Sequence, residues 1–336
     1  MQTSARQHYP AGVPHEIDPE QYRSLSHMFD EAFGRYAERP FSVCMERWMS
    51  YGELDAQSKA LGAWLQSRGL EPGARVAIML PNIPQFAVTM CAVLRAGYTC
   101  VNVNPLYTAR ELEHQLKDSG ATAIVILENF ASTLEQVIEK TPIKHVVITA
   151  MGDLLGGLYG SWITLAVRHL KKMVPPFKLP LSDGRTVTPF SQALGEGRGR
   201  TLAADKSTLD SIAFLQYTGG TTGLSKGAVL THRNIVAATL QAEAWFTPAL
   251  ARAGDLAKVN SIAALPLYHI FALTLCLLVI RQGSHMTLVP NPRDFDKFIA
   301  VLKKRPFHML PAVNTLFNAL SVSYTHLRAH ETRHDI

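Results

Sequence analysis

The sequence predicts an α/β fold in which a mainly parallel sheet is covered by helices on both faces. Short apolar runs of strand length alternate with stretches of helical length and periodicity along most of the 336 residues. Strands that alternate with helices in this way form parallel sheets whose connections cross over as helices. A hydrophobic content of 47% is ample for one or two buried cores, and 18% charged residues give no sign of general disorder.

The first half of the chain contains a regular series of these elements. After an extended, proline-containing lead-in over residues 1–23, strands are predicted at 74–80, 99–103, 123–127 and 145–149, and helices at 54–69, 85–95, 108–119 and 131–140. The helix near residue 108 opens on Thr108 and Glu111, which have the spacing of a capping box.

Residues 151–200 interrupt the series with Gly, Pro and basic residues, which indicates a boundary or an insertion. Strands are then predicted at 211–217, 226–230, 261–265 and 286–289, and a helix that ends near residue 245. The apolar run at 270–280 is too short for a bilayer span, which needs about 20 residues. It is predicted to be a buried core helix.

Composition narrows the classes of partner. The net charge of +6 suits anionic substrates or an anionic membrane surface. A nucleic-acid partner is not expected, because there is no Lys/Arg-rich run. The four cysteines are widely spaced and form no zinc or CxxC pattern, and the N-terminus has no apolar signal region. We therefore expect a reduced, cytoplasmic protein.

The most specific motif is YTGGTTGLSKG at residues 217–227. Glycines let backbone N–H groups approach an anion, hydroxyl side chains add donors, and a single lysine adds positive charge. The motif differs from the P-loop NTPase pattern, in which Ser or Thr follows Gly-Lys, and GxGxxG is absent. A flexible glycine-rich surface loop is the simpler alternative. Its position between two predicted strands favours a polyphosphate-binding loop.

This motif resembles the signature of the AMP-forming adenylation superfamily, which includes acyl-CoA synthetases, peptide-synthetase adenylation domains and luciferases. Gly220 in place of the usual Ser, followed by GAVLTHRN, is similar to bacterial long-chain fatty acyl-CoA ligases. Five further stretches agree in order: YGELDAQSKALGAWLQ, RVAIMLPN, NVNPLYTARELEHQLKDSGA, ALPLYHIFALTL and VNTLFNAL. The resemblance covers roughly residues 8–320.

The resemblance implies two stacked α/β subdomains, then a small β-barrel and a mobile C-terminal domain. We accordingly expect a first subdomain at 24–205, with the insertion at about 151–200, and a truncated second subdomain at 206–320. The β-barrel end, the C-terminal domain, a later Glu-bearing motif, a ribose-binding Asp and a C-terminal lysine are expected to be missing, so adenylation by this chain should be impaired.

The resemblance also implies a two-step reaction: a fatty carboxylate attacks the α-phosphate of ATP, and coenzyme A then displaces AMP from the acyl-adenylate. The residues implied to bind the phosphates are Thr218, Gly219, Gly220, Thr221, Thr222, Gly223, Ser225 and Lys226. Mg²⁺ would lie near Thr221 or Thr222. Lys226 and His269 are the implied catalytic residues. A histidine such as His269 is as often a core residue whose ring nitrogens form hydrogen bonds with backbone groups.

The implied acyl pocket contains Phe271, Leu273, Ala312 and Asn314. Core packing is the default for the apolar run around Leu273. The family more often has Gly at the position of Ala312, which weakens the implied pocket role of this residue.

Residues 152–173 combine apolar residues with Arg168, Lys171 and Lys172. They are interpreted either as an amphipathic helix on the inner face of the membrane or as an inserted helix packed on its own domain, with a slight preference for the second.

The family pattern stops after Val322, and residues 321–336 are interpreted as a non-native tail. They contain an HExxH pattern at 330–334. Zinc catalysis is not expected there, because that chemistry needs a third ligand and a shaped cleft.

Three rival functions remain open. A ligase for another carboxylic acid would share the motifs, and a nucleotide-binding pseudo-enzyme would explain the missing motifs. A dinucleotide-dependent oxidoreductase shares the α/β pattern but lacks the glycine fingerprint.

Overall fold

The computed structural model describes residues 8–219 and 225–331, and two sheets organise them. The larger sheet has seven strands in the order β7-β6-β5-β3-β4-β8-β9, and the smaller has four in the order β10-β11-β1-β2. Neighbouring strands are parallel except β8–β9 and β1–β2. The strands are β1 Pro40–Cys44, β2 Arg47–Ser50, β3 Arg75–Met79, β4 Thr99–Asn102, β5 Ala123–Leu127, β6 His145–Thr149, β7 Thr186–Pro189, β8 Ile212–Thr218, β9 Lys226–Thr231, β10 Asn260–Ala263 and β11 His285–Leu288.

Helices cover both sheets. They are α1 Leu25–Tyr36, α2 Tyr51–Gln66, α3 Pro84–Arg95, α4 Ala109–Ser119, α5 Ala131–Glu135, α6 Gly157–Leu165, α7 Phe190–Arg198, α8 His232–Leu250, α9 Ile270–Gln282, α10 Phe295–Lys304 and α11 Asn314–Glu331. A π-helical turn, Ala166–Leu170, continues α6. Short 3₁₀ turns lie at Pro19–Gln21, Glu128–Phe130, Ile138–Lys140, Ala251–Ala253 and Leu256–Lys258.

Three apolar cores separate these layers. The largest lies between the two sheets and is filled mainly by α1, α2, α3, α8 and α9. A second core joins the other face of the large sheet to α4 and α5. A third joins the small sheet to α10 and α11. Burial on both faces explains why a strand such as β5, AIVIL, is apolar throughout.

Local sequence signals explain where several helices begin and end. Capping boxes open α2, α4 and α8, where Ser50, Thr108 and Thr231 each accept a hydrogen bond from the third helical residue. Gly120 and Gly283 end α4 and α9 in the left-handed conformation, which glycine adopts without a steric penalty.

The α/β prediction is confirmed, and the structure adds detail to its elements. The strands expected from residue 74 onward are present within one or two residues of their expected bounds, and 270–280 forms the buried helix α9. The helix expected at 131–140 is instead α5 followed by a 3₁₀ turn. Residues 151–200 are more than an interruption, because β7 extends the large sheet beside β6.

Sheet membership does not follow the order of the chain. β1 and β2 lie early in the sequence but belong to the small sheet, where β1 pairs with β11. β8 and β9 lie after residue 205 but belong to the large sheet, where β8 pairs with β4. The two sheets thus each contain strands from both sides of residue 205. The subdomain boundaries at 24–205 and 206–320 remain predictions.

All four cysteines are buried and free. Burial raises the pKa of the Cys44 thiol and of the Cys276 thiol to about 12, so neither is a ready nucleophile at neutral pH.

Within residues 8–219 and 225–331, none of the helices has both the length and the hydropathy that crossing a bilayer requires.

His232, the first residue of α8, joins that helix to α1. Its ring is buried, and its Nδ1 accepts a hydrogen bond from the Leu25 backbone N–H at 3.0 Å. Burial lowers the pKa of His232 to about 4, a shift that the nearby Asp205 carboxylate partly opposes. The native protein therefore holds this imidazole neutral.

We predict that His232 makes the fold sensitive to acid. The His232 imidazole takes up a proton near pH 6.5 in the unfolded chain but only near pH 4 in the native chain. The free energy of unfolding should therefore decrease as the pH is lowered from about 6.5 to about 4, by about 3 kcal/mol at most. Urea unfolding at a series of pH values measures the fall. His232→Asn keeps an acceptor for Leu25 but cannot be protonated, and should flatten this part of the profile. His169→Asn, at an exposed histidine, is the control. An unchanged slope in His232→Asn would contradict the prediction.

Candidate functional site: the phosphate-loop hairpin and the neighbouring groove

The hairpin of β8 and β9 presents the two ends of the predicted phosphate loop. The strands pair in antiparallel register up to Thr218 and Lys226, which lie directly opposite each other. Thr218, Gly219 and Lys226 are exposed and Ser225 is half-buried. The predicted phosphate-binding and metal-binding residues Gly220, Thr221, Thr222 and Gly223 lie outside the described residues. The loop follows the carboxyl end of β8, the end of a parallel sheet at which ligands bind.

The alternation of side chains along β8 assigns its residues to two faces. Phe214, Gln216 and Thr218 share one face, because side chains in a strand repeat every second residue. Phe214 belongs to the core between the two sheets, whereas Tyr217 belongs to the core under α4. Lys226, as the partner of Thr218, lies on the Thr218 face. Thr218 and Lys226 therefore share the face that looks toward the small sheet.

Helix α4 holds both ends of the loop from the opposite face. The Tyr217 hydroxyl donates to the Asp118 carboxylate at 2.5 Å, and His114 Nε2 donates to the Ser225 carbonyl at 3.0 Å. Burial, together with the Asp118 carboxylate, raises the pKa of Tyr217 well above its usual value. A Cβ at Gly227 would lie only 3.0 Å from the Tyr217 ring, so glycine lets this ring pack across the hairpin.

His269 lies on a different element, as the N-cap of α9. Its side chain is exposed, so it is not a core histidine. The Phe271 backbone N–H makes a long hydrogen bond of 3.5 Å to His269 Nδ1. With Nδ1 as acceptor, the neutral ring carries its proton on Nε2, which leaves an N–H donor for another group.

Two buried amide side chains of the large sheet hold the loop that leads to His269. Asn82, just after β3, donates to the Ala263 and Leu265 carbonyls at 2.8 Å and accepts from the Leu267 N–H at 2.8 Å. Gln216 of β8 donates to the Tyr268 carbonyl at 2.9 Å. The segment before His269 is thereby attached to the carboxyl ends of β3 and β8.

An apolar groove opens beside Phe271, two residues beyond His269. It has a volume of about 840 Å³ and lies between α8, α9 and residues 308–311. Its walls include Ala242, Phe246, Phe271, Thr274, Leu278 and Leu310. A second, glycine-lined cavity of about 470 Å³ lies beside α6.

The predicted acyl-pocket residues are distributed unevenly around the groove. Phe271 is part of its wall and is 55% exposed. Leu273 is fully buried in the core between the sheets and does not line the groove. Ala312 directly follows Pro311 of the wall, and Asn314 is the first residue of α11.

Several residues of this site carried no clear signal in the sequence. Asn82, Gln216, Asp118 and His114 were not singled out, because polar residues of these types are common and their partners lie far away along the chain. One signal was available: Asn82 is a polar residue placed directly after a buried strand and a proline.

Among the residues that the structure describes, no group of three or more His, Cys, Asp or Glu side chains is arranged to hold a metal ion. The predicted Mg²⁺ contacts, Thr221 and Thr222, lie outside that part of the chain and stay predictions.

The family of the chain follows from its match to known sequences. The family model for AMP-binding enzymes matches residues 29–335. Because this match covers most of the 336 residues, the chain belongs to the AMP-binding enzyme family. The resemblance found in the sequence is thus confirmed.

Particular relatives are more specific. The chain is 48% identical over 314 residues to a long-chain-fatty-acid–CoA ligase of Escherichia coli O157:H7, covering 93% of this chain and 54% of the relative. It is 47% identical over 323 residues to the enzyme of the same name from Yersinia pestis, covering 95% of this chain and 56% of the relative. The chain spans about half the length of the curated relatives it matches.

Solved structures agree on the fold. A crystal structure of a long-chain-fatty-acid–CoA ligase from Archaeoglobus fulgidus matches with a TM-score of 0.71 at 22% identity, covering 93% of this chain and 56% of that one.

Proposed function

We propose that this chain carries the ATP and fatty-acid sites of a long-chain fatty acid–CoA ligase. The observation that carries the proposal is that the loop before His269 contacts both the phosphate-loop strand and the helix that walls the apolar groove. The loop before His269 is bonded to the phosphate-loop strand through Gln216, and it leads directly into the helix whose Phe271 walls the apolar groove. A polyphosphate and an acyl chain would therefore lie on either side of His269.

The first half-reaction joins a carboxylate to the α-phosphate of MgATP and releases pyrophosphate. Both reactants are anions, so neutralising charge is the main requirement. Lys226 supplies positive charge and Thr218 a hydroxyl donor on the same face of the hairpin. The Gly219 backbone N–H can approach a phosphate oxygen closely, because glycine has no Cβ and no atom of the described residues lies within 4 Å of the position a Cβ would take.

His269 fits the role of a donor between the two substrates. A neutral imidazole with its proton on Nε2 can donate a hydrogen bond to the carboxylate, or to the adenylate oxygen once it forms. His269 would thereby orient the attacking carboxylate. In the second half-reaction the thiol of coenzyme A attacks the acyl carbonyl and AMP leaves.

The groove suits the acyl chain. Its lining is mainly apolar, and its volume of about 840 Å³ lies within the range of about 300–1,000 Å³ usual for small-molecule sites. Burying methylene groups there contributes about 0.8 kcal/mol for each group. A long chain therefore gains more from this groove than a short one, which favours long-chain acids over aromatic or small acids.

Lys226→Ala should weaken ATP binding by at least about tenfold, because a hydrogen bond from a charged donor to phosphate contributes about 1.5–3 kcal/mol. Isothermal titration with MgATP measures the affinity, and palmitate-dependent pyrophosphate release measures the reaction. Lys303→Ala, at an exposed lysine of α10, is the control and should bind as the unsubstituted chain does. If the unsubstituted chain does not bind MgATP, or if Lys226→Ala binds it equally well, the proposed phosphate site is wrong.

Filling the groove should reduce affinity for long acids but not for ATP. Thr274→Trp places a large ring in the groove wall, and should raise the dissociation constant for palmitate at least about tenfold with a smaller effect on octanoate. Thr247→Trp is a matched control, since Thr247 and Thr274 both bond their hydroxyl to a helix carbonyl four residues earlier, and Thr247 is exposed outside the groove. Equal palmitate affinity in both variants would contradict the acyl-site assignment.

We also propose that residues 152–173 contact an anionic membrane surface. Leu158 of α6 is 92% exposed and Trp162 is 58% exposed. The exposed apolar side chains of this region are Leu158, Tyr159, Trp162, Leu165, Leu170 and Met173. The exposed lysines Lys171 and Lys172 follow directly, and such a combination favours the headgroup region of a bilayer.

The helix is held firmly on its other side. Gly160 packs against Gly152 so closely that a Cβ on either residue would come within 2.2 Å of the other's carbonyl oxygen. Arg168 forms a bidentate ion pair with the buried Glu128. These contacts fix α6 on the domain while its apolar side chains remain exposed, so packing on the domain and membrane contact are compatible.

Co-sedimentation of the chain with phosphatidylglycerol vesicles tests the membrane contact. The double variant Leu158→Glu/Trp162→Glu should reduce binding at least about tenfold, because it removes apolar side chains and adds negative charge. Leu106→Glu, at an exposed leucine outside this segment, should bind normally. The contact is refuted if the unsubstituted chain stays in the supernatant, or if the double variant sediments as well as the control.

A further inference from the structure

A chain of buried amide groups crosses the large sheet just below the phosphate loop. Gln115 of α4 donates to the backbone carbonyl of Asn102 at 2.8 Å. The Asn102 side chain, at the end of β4, donates to Gln216 Oε1 at 3.1 Å. Gln216 then donates to the Tyr268 carbonyl at 2.9 Å. All three amide side chains are buried.

The direction of these hydrogen bonds is set by the last acceptor. The Tyr268 carbonyl can only accept, so the NH₂ group of Gln216 must face it and Oε1 must face Asn102. Asn102 then has to present its own NH₂ group. Among the described residues, Asn102 Oδ1 and Gln115 Oε1 have no protein partner, whereas Gln216 uses both ends of its amide. Gln216 is therefore the member whose side chain is bonded at both ends, to Asn102 of β4 and to the backbone just before His269.

The sequence neighbours of this link make it relevant to the reaction. Gln216 lies two residues before Thr218 on the same face of β8, and Tyr268 directly precedes His269. The His269 ring is exposed, and within residues 8–219 and 225–331 its one hydrogen bond is the long one from the Phe271 N–H. The position of His269 thus depends on how its backbone is held, and Gln216 and Asn82 are what hold that backbone to the large sheet.

We propose that Gln216 is a positioning residue that sets His269 relative to the phosphate loop and so couples the binding of nucleotide and carboxylate. This inference rests on the proposed function for its ligands. A ligand held by Thr218 and Lys226 also restrains the end of β8, where these two residues pair. Through Gln216 it orders Tyr268 and His269, so the second ligand meets a site that is already arranged.

The substitution Gln216→Met tests the link without adding a charge, and Gln216→Glu tests it more selectively. A glutamate at this position can still accept from Asn102 but cannot, as a carboxylate, donate to Tyr268. The matched control is Gln85→Met. Gln85 is equally buried and donates to the Ala150 carbonyl at 3.0 Å, away from the His269 loop. Loss of either amide removes one buried donor to a backbone carbonyl.

Hydrogen exchange in the chain without ligand is the first measurement. We expect peptides that cover residues 264–271 to exchange roughly 2- to 10-fold faster in both Gln216 variants, as loss of one hydrogen bond allows. Gln85→Met should leave these peptides unchanged. Unchanged exchange in the Gln216 variants, or an equal increase in Gln85→Met, would overturn the positioning role. This measurement does not depend on ligand binding.

The coupling of the two ligands is the second measurement. The dissociation constant of the nucleotide is measured with and without palmitate, using Mg²⁺ and an ATP analogue whose α,β-bridging oxygen is replaced by a methylene group, because the reaction would break the bond at that position. We expect palmitate to tighten nucleotide binding at least about fivefold in the unsubstituted chain and in Gln85→Met, and less than about twofold in Gln216→Met. Binding of both ligands without coupling in the unsubstituted chain would refute the proposal. If that chain binds neither ligand, the proposed function fails, and hydrogen exchange alone decides the role of Gln216.

Discussion

The complete burial of helix α3 is the constraint on which the other layers depend. All twelve of its residues, Pro84–Arg95, are buried, because the large sheet lies on one side and α1 and α2 lie on the other. Such a helix cannot be amphipathic, and its sequence is almost wholly apolar. Its one charged residue, Arg95, is paired with Asp30 at 2.7 Å and Asp55 at 2.8 Å. A buried cation is tolerated only with such partners, so α3 holds α1 and α2 in place through charge as well as packing.

The site lies where this rigid interior meets loops that carry polar side chains. Parallel strands end together at one edge of the sheet, so the residues just beyond β3, β4 and β8 become neighbours although they lie far apart in the chain. Asn82, Asn102 and Gln216 occupy these ends. All three are buried: Asn82 and Gln216 donate to backbone carbonyls, and Asn102 donates to Gln216 Oε1, so each has little freedom to move. Their hydrogen bonds attach the loop of the small sheet to the edge of the large one.

Two exposed apolar regions contrast with this interior. The groove beside Phe271 is concave and lies next to the polar residues of the site, which suits a ligand with one charged end and one apolar end. The exposed apolar side chains of α6 are followed by lysines, which suits a lipid surface. The neighbouring polar and charged residues thus distinguish two surfaces of similar composition.

Patterns that act over a few residues could be interpreted from the sequence. Alternation of apolar runs predicted the α/β class, the Thr108–Glu111 spacing predicted a capping box, and YTGGTTGLSKG predicted the family. Each depends on local backbone geometry or on a contiguous motif, which a linear sequence displays directly.

Tertiary structure alone decided the features that join distant residues. The pairing of β1 with β11 brings together residues more than 240 positions apart, and no local pattern specifies it. Leu273 and Phe271 lie two positions apart on α9, yet one is buried in the core and the other is exposed at the groove, because only one faces the layer beneath. In the sequence Gln216 is an ordinary strand residue, and only the folded structure shows that its side chain donates to the Tyr268 carbonyl. Hydrogen-bond partners and burial depend on which surfaces meet in space, and that is decided when the layers pack.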